Sequence, residues 1–268
     1  MIPSQPLKEF SVLISCLRSF CIATLCGLGA ALVAHSETLV VYGDDTYQPV
    51  ISRLNGMPVG VLVDILRKVS ERSGDTYDIQ LFPWKRAYEL ASMGKGALIG
   101  ISKTTERQEV FDFSDPIYSD DIQIVVLKGR EFPFAQLSDL QGKTMGGVLG
   151  ASYGEVVDKA IQEGLFKMDR DIGQSGRLNK LLAHRMDGAL IGNGRAGFEA
   201  VLASDPLLMA QRHQFVVLKT PLTRDTLYLA AAKSMKNKAA IERFNKALRE
   251  LQKNGILKRI ASGTNNRK

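Results

Sequence analysis

"ALIGISKTTERQEVFDFSDPIYSDDIQIVVL", residues 97–127, decides the fold. It opens on a short apolar run, ALIGI (97–101), which fits a buried strand. A polar segment follows with a single arginine, Arg107, at its centre. The pattern breaks at Asp115-Pro116, and a second apolar run, IQIVVL (122–127), starts it again. A strand pattern that stops at a proline and restarts predicts two α/β units, with a crossing of the chain between them.

The flanks carry the same alternation. TLVVY (38–42) reads as a strand. GVLVDILRKVSERSG (60–74) puts Val61, Ile65, Leu66 and Val69 on one helical face and stops at Gly74. YDIQLF (77–82) is a strand and KRAYELASMG (85–94) a helix. Beyond the break, TMGGVL (144–149), GALI (188–191), FVVL (215–218) and TLYLAAA (226–232) are strands. Helices are expected over 151–164, 176–186, 194–204 and 237–253, with a turn at 137–143. Strands alternating with helices of this length imply parallel sheets. Ligands of open α/β sheets bind beyond the carboxyl ends of the strands. There ALIGI and TMGGVL each lead into a loop of small residues, Gly100-Ile101-Ser102 and Gly150-Ala151-Ser152. Their backbone N–H groups favour a negatively charged group.

The chain has 268 residues, 45% hydrophobic and 24% charged, a normal globular balance. Its first 36 residues differ. Lys8 and Arg18 give a basic start, FCIATLCGLGAALV (20–33) is an uncharged apolar run, and AHS (34–36) supplies small residues before Glu37. The run falls short of the roughly 18–20 residues a bilayer needs. This predicts a signal peptide over 1–36 and an exported, periplasmic product. Cys16, Cys21 and Cys26 all lie within it, so residues 37–268 carry no disulfide and no thiol chemistry. Without Lys8, Arg18 and Glu9 there remain 33 basic and 27 acidic side chains, a net charge of +6. They are dispersed, with no dense block interleaved with aromatics, which argues against nucleic acid. His184 and His213 stand far apart and no carboxylate cluster has ligand spacing, so neither metal nor cofactor is expected.

Several ordered pieces carry a resemblance. They are "GDDTYQPV" (43–50), "GMPVGVLVDIL" (56–66), a Trp-led helix over 84–94, "GISKTTER" (100–107) and "FDFSDPIY" (111–118). "LSDLQGKTMGGVLGASY" (137–153), "HRMDGALIGN" (184–193) and "ALRELQKNGILKRI" (247–260) complete the series. From Glu37 to about Ala261 the chain resembles the bacterial extracellular solute-binding proteins of family 3. The resemblance implies a two-lobed α/β Venus-flytrap receptor of type II with two crossover strands. Lobe 1 is expected over 37–119 and 225–268, and lobe 2, inserted, over 120–224. Hinges are expected near Tyr118–Ile122 and Pro221–Asp225. It also implies a monomeric, non-enzymatic receptor that passes a small amino acid or organic acid to an ABC transporter permease or a membrane sensor.

Site residues come with it. The family's carboxylate-binding arginine falls on Arg107, whose guanidinium fork matches both oxygens of a carboxylate. On spacing alone Arg107 is a solvated side chain on a short helix capped by Thr105. Ser102 and Gly100 match first-lobe contacts to the ligand head group. Tyr47 and Trp84 match aromatic walls, and Asp44 a side-chain contact. Gly150, Ala151 and Ser152 match the second-lobe loop. Arg86 is a charge near the cleft or a plainly solvated one. The family's Asp that pairs with a ligand ammonium is missing: the segment reads Ile191-Gly192-Asn193-Gly194. Asn193 accepts a hydrogen bond there but brings no charge, which weakens the case for an ordinary α-amino acid and admits an organic acid or another anionic solute.

Two enzymatic readings compete. "GASYG" (150–154) fits a G-x-S-x-G nucleophile elbow, with Asp187 and His213 following in hydrolase order. A dehydratase on the same binding-protein fold would need an acid or base in the cleft, and Asp44 and Asp45 are the candidates.

Overall fold

A computed structural model describes residues 38–263. The signal peptide expected over 1–36 lies outside the described residues. The first lobe opens with β1 (Thr38–Asp44), a small antiparallel sheet of β2 (Thr46–Tyr47), β3 (Ile51–Leu54) and β4 (Met57–Val59), then α1 (Val61–Ser73). It continues through β5 (Thr76–Phe82), α2 (Trp84–Ser92), β6 (Ala97–Ser102), α3 (Thr105–Val110) and β7 (Phe111–Phe113). β8 (Tyr118–Leu127) then crosses over. The second lobe holds β9 (Thr144–Val148), α4 (Glu155–Gln162), β10 (Lys167–Asp171), α5 (Gln174–Leu182), β11 (Gly188–Ile191), α6 (Gly194–Ser204), α7 (Pro206–Ala210) and β12 (Phe215–Val217). β13 (Thr223–Ala232) returns to the first lobe, which α8 (Lys238–Lys253) and α9 (Ile256–Ala261) complete.

The strands follow one hydrogen-bonded path, β10-β9-β11-β8-β13-β6-β1-β5. Within it, β5-β1-β6 and β10-β9-β11 are parallel, as the alternation of strands and helices implies. The crossover strands differ from that expectation: β8 and β13 run antiparallel to their neighbours and to each other. Two chain crossings in opposite directions set β8 and β13 antiparallel to each other. The two pair from Tyr118 opposite Leu227 to Ile122 opposite Thr223, at the junction of the lobes.

Apolar stripes fix the layers. α1 buries Leu62, Val63, Ile65, Leu66 and Val69, and α8 buries Ile241, Phe244, Leu248 and Leu251. Both pack on one face of the first sheet in a single core with Val41, Leu81 and Ile99. α2 lies on the other face, where Trp84, Ala87 and Ala91 meet Leu98, Ile101 and Phe111. The second sheet is likewise covered on both faces, by α5 to α7 on one and by α4 on the other. Burial on this scale contributes about 25 cal/mol per Å² of apolar surface. It is the main force holding described residues that include no cysteine.

Two local departures matter for the site. The helix expected over 151–164 begins only at Glu155. The Asp158 carboxylate explains the delay, since it accepts from the Ser152 hydroxyl and, at 3.0 Å, from the Tyr153 N–H. Residues 151–154 are thereby held as a loop. In β6, Gly100 takes φ 82° where the ladder to β13 slips between Tyr228 and Leu229. A bulge of this kind turns the end of a strand, and glycine alone adopts the left-handed value freely. It carries Ser102 into the space between the lobes.

Candidate functional site

A cavity of about 70 Å³ lies between the lobes. That is room for roughly five waters. From the first lobe it is lined by Asp44, Thr46, Tyr47, Trp84, Gly100 and Ser102. From the second it is lined by Val148, Ala151, Ser152, Tyr153, Gln174, Arg177, Leu190 and Gly192. Ile122, Asp225 and Leu227 contribute from the crossover strands. The sites expected at Asp44, Tyr47, Trp84, Gly100, Ser102, Ala151 and Ser152 therefore share one wall system.

Local folding explains their aim. Trp84 is the first residue of α2, directly after Pro83, so its ring leaves the strand end and enters the cleft. Asp44 ends β1 and accepts from the backbone N–H of Thr46 at 2.7 Å and from its hydroxyl at 3.0 Å. Tyr47 sits on the small β2–β4 sheet and donates to Asp120.

Arg107 is buried, 6% exposed, and is not the solvated charge that its spacing alone suggests. Its backbone N–H donates at 3.2 Å to the hydroxyl of Thr104, which caps α3 in place of the expected Thr105. The guanidinium donates to the Ser102 carbonyl at 3.0 Å and to the Gly150 carbonyl at 3.4 Å. Its centre lies 5.4 Å from the Tyr88 ring and 5.9 Å from the Trp84 ring. Burial pushes its pKa down, while Tyr88, Asp158, Asp225 and Glu106 oppose that shift. Arg107 and Gly150 stand beside the cavity, in a second recess with Tyr88, Ser152, Asp158 and Arg170.

The lobes touch directly. The Gly150 carbonyl also accepts from Nε1 of Trp84 at 3.1 Å. Thr105 N–H donates to Glu155 at 2.5 Å, and Nε2 of Gln174 donates to the Thr46 carbonyl at 3.1 Å. The Tyr118 hydroxyl donates to Oδ1 of Asn193. This is a closed arrangement. Arg86 is exposed, with its guanidinium 4.6 Å from the Phe82 ring centre, apart from the residues that line the cavity.

Several residues of the cavity wall, and one buried behind it, escaped the sequence. Arg177, 1% exposed, donates to Asp171 through Nε at 3.2 Å and Nη2 at 2.8 Å. Asp120 is fully buried, and its carboxylate accepts from the Tyr47 hydroxyl and the Asn193 N–H. Asp225 accepts from the Ser102 hydroxyl. Burial pushes Asp120 up to about 7 and Asp44 up to about 6, and raises Asp225 as well. Asp120, on β8, lies close to the segment after β11: a Cβ added at Gly192 would lie 2.8 Å from its Oδ2.

The hydrolase geometry is not formed. Ser152 donates to Asp158, Asp187 accepts from the Thr144 N–H, and His213 is exposed on a 3₁₀ turn.

Two α/β lobes joined by two strands, closing on a cavity, define a binding protein of the periplasmic two-lobed type. Residues 39–263 match the sequence profile of the bacterial extracellular solute-binding proteins, family 3, and the chain belongs to that family. It is similar to the probable amino-acid-binding protein YxeM of Bacillus subtilis (strain 168), 24% identical over 266 residues, covering 95% of this chain and 94% of the relative. It is also similar to the L-cystine-binding protein TcyJ of Escherichia coli (strain K12), 27% identical over 234 residues, covering 85% and 83%. Among solved structures, an ancestral arginine-binding protein bound to arginine superposes with a TM-score of 0.70 at 26% identity, over 84% of this chain and 97% of that one.

Proposed function

We propose that the protein is a periplasmic receptor that captures a small carboxylate-bearing ligand, an amino acid or a related organic acid, and delivers it as a monomer to the permease of an ABC importer. One observation carries this reading: side chains of both lobes and of both crossover strands line a single cavity. The names of the relatives, an amino-acid-binding and a cystine-binding protein, favour the amino-acid end of the range.

The lobes divide near 119/120 and 224/225, with the paired segments Tyr118–Ile122 and Thr223–Leu227 as hinges. In the open form the ligand carboxylate meets Arg107. A guanidinium has five N–H donors. One serves the Ser102 carbonyl and a second the Gly150 carbonyl on closure, which leaves three for the ligand. The ligand body lies between Tyr47 and Trp84, and the loop Gly150–Ser152 with Gly192-Asn193 then closes over it. Binding favours the closed state because only that state makes both sets of contacts.

Small-angle scattering of the protein with and without amino acids tests the mechanism. A stabilising amino acid should reduce the radius of gyration. A ligand that raises the melting temperature without compaction would contradict closure.

A further inference from the structure

The second lobe touches α3, the helix that carries Arg107, at two points. The Gly150 carbonyl accepts from the Arg107 guanidinium at 3.4 Å, and the Glu155 carboxylate accepts from the Thr105 N–H at 2.5 Å. The first contact belongs to the site already described. The second stands outside the cavity, on the recess that holds Arg107 and is walled by both lobes.

The local structure on each side explains this second contact. Thr105 is the first residue of α3, and the Thr104 side chain caps the N–H of Arg107, not that of Thr105. The first N–H groups of a helix have no partner within it, so the Thr105 N–H takes an acceptor from outside. In the second lobe, Asp158 ties down Ser152 and Tyr153, and α4 starts only at Glu155. Lys159, one turn further on, pairs with Glu163 at 3.7 Å and not with Glu155. Among the described residues, the hydrogen-bond partner of the Glu155 carboxylate is therefore Thr105 of the other lobe. Hydrogen bonding to the side chain and backbone of Thr105 holds this carboxyl below the usual carboxylate range.

We propose that Glu155 is a positioning residue for ligand capture: it clasps the Thr105 N–H as the lobes meet and holds the second lobe against α3, and with it Arg107. Glu155 touches no ligand. The inference rests on the capture reading above and adds the residue pair that sets how long the closed state lasts. The bond is made only when the lobes are closed, so it stabilises that state alone. It slows ligand release, leaves the encounter with the open form unchanged, and acts by the same factor on every ligand.

Stopped-flow fluorescence tests it, since Trp84 is the single tryptophan and lies in the cavity wall. The probes are L-arginine, L-glutamine and L-cystine. The proteins are wild type, Glu155→Ala, Glu155→Gln, Thr105→Pro and the double variant Glu155→Ala with Thr105→Pro, with melting curves to verify folding. Thr105→Pro deletes the donor at the helical position that proline favours, and the extended backbone of Thr104, φ −121° and ψ 162°, suits a residue before proline. Glu155→Ala and Thr105→Pro should each raise the dissociation rate about threefold or more, equally for every probe that binds, with the association rate unchanged. The double variant should release ligand no faster than either single one. Glu155→Gln, which keeps a neutral acceptor, should fall between wild type and Glu155→Ala. Wild-type dissociation from folded Glu155→Ala overturns the clasp and leaves the receptor reading standing. So do effects that multiply in the double variant, or a loss that differs from probe to probe. A wild type that binds none of the three probes overturns the receptor reading, and the clasp with it.

Discussion

Asp120 and Asp225 face each other across the two antiparallel strands that join the lobes, and burial raises the pKa of both. Asp120 is held at about 7, well above the usual carboxylate value. A folded-state value above the unfolded one means that the folded protein keeps a proton the unfolded chain releases. Stability from this group is therefore present in acid and is lost as pH rises from about 4 toward 7. Asp120→Asn should match wild type near pH 4 and melt at least about 2 °C higher at pH 7.5, since 1 kcal/mol corresponds to about 2–4 °C in a chain of this size. A constant difference between the two melting temperatures from pH 4 to 8 would contradict the assignment.

Gly192 gives a steric test of closure. A Cβ there would come within 2.4 Å of Cε2 and 2.7 Å of the hydroxyl of Tyr47. Tyr47 lies in the opposite lobe, so Gly192→Ala should hold the cleft open; the Cβ also meets Oδ2 of Asp120 at 2.8 Å, so a melting curve checks that the variant is folded. Ligand affinity should fall at least tenfold and the radius of gyration should stay at its ligand-free value. Wild-type affinity would mean that Tyr47 and Gly192 do not meet in the closed state.

Trp84 and Gly150 form a latch, with Nε1 donating to the carbonyl at 3.1 Å. Trp84→Phe keeps an aromatic wall and removes the donor. A hydrogen bond of this kind contributes about 1 kcal/mol net, so ligand affinity should drop about fivefold. Trp84→Leu, which also removes the wall, should cost more. Equal losses in both would assign the whole effect to the hydrogen bond and none to the wall.

The fold was largely legible because buried parallel strands and amphipathic helices write periodic signals. TLVVY, ALIGI, GALI and the stripe of α8 are apolar in the order that the sheet and its cover require. β10 was missed because KMDRD carries alternating charge: it is an edge strand that pairs only with β9 and keeps its side chains half exposed. The short β2–β4 sheet has too few residues to show a period.

The site divided along similar lines. Tyr47, Trp84, Ser102 and the 150–152 loop stand at strand ends, where a local motif suffices to suggest a cleft. Asp120 and Asp225 are remote in sequence and meet only through the register of β8 and β13. Arg177 lies on a helix expected over 176–186 as an ordinary amphipathic one, and Gln174 falls before that expected start; their aim follows from how α5 sits on β11. The segment after GALI carries no acid, yet Asp120 of β8 comes within 2.8 Å of the position a Cβ on Gly192 would take, a proximity that no scan of adjacent residues could reveal.

Arg107 decides the central point. Two buried charge-assisted hydrogen bonds contribute about 1.5–3 kcal/mol each, a large share of the roughly 8 kcal/mol behind a micromolar affinity. The direct measurement is calorimetric titration of wild type and Arg107→Ala with the tightest-binding amino acid, alongside circular dichroism. The expected result is a dissociation constant in the micromolar range or below for wild type, at least tenfold weaker binding in the variant, and identical folded spectra. Equal affinity in the two folded proteins would contradict a carboxylate held by Arg107 between the lobes.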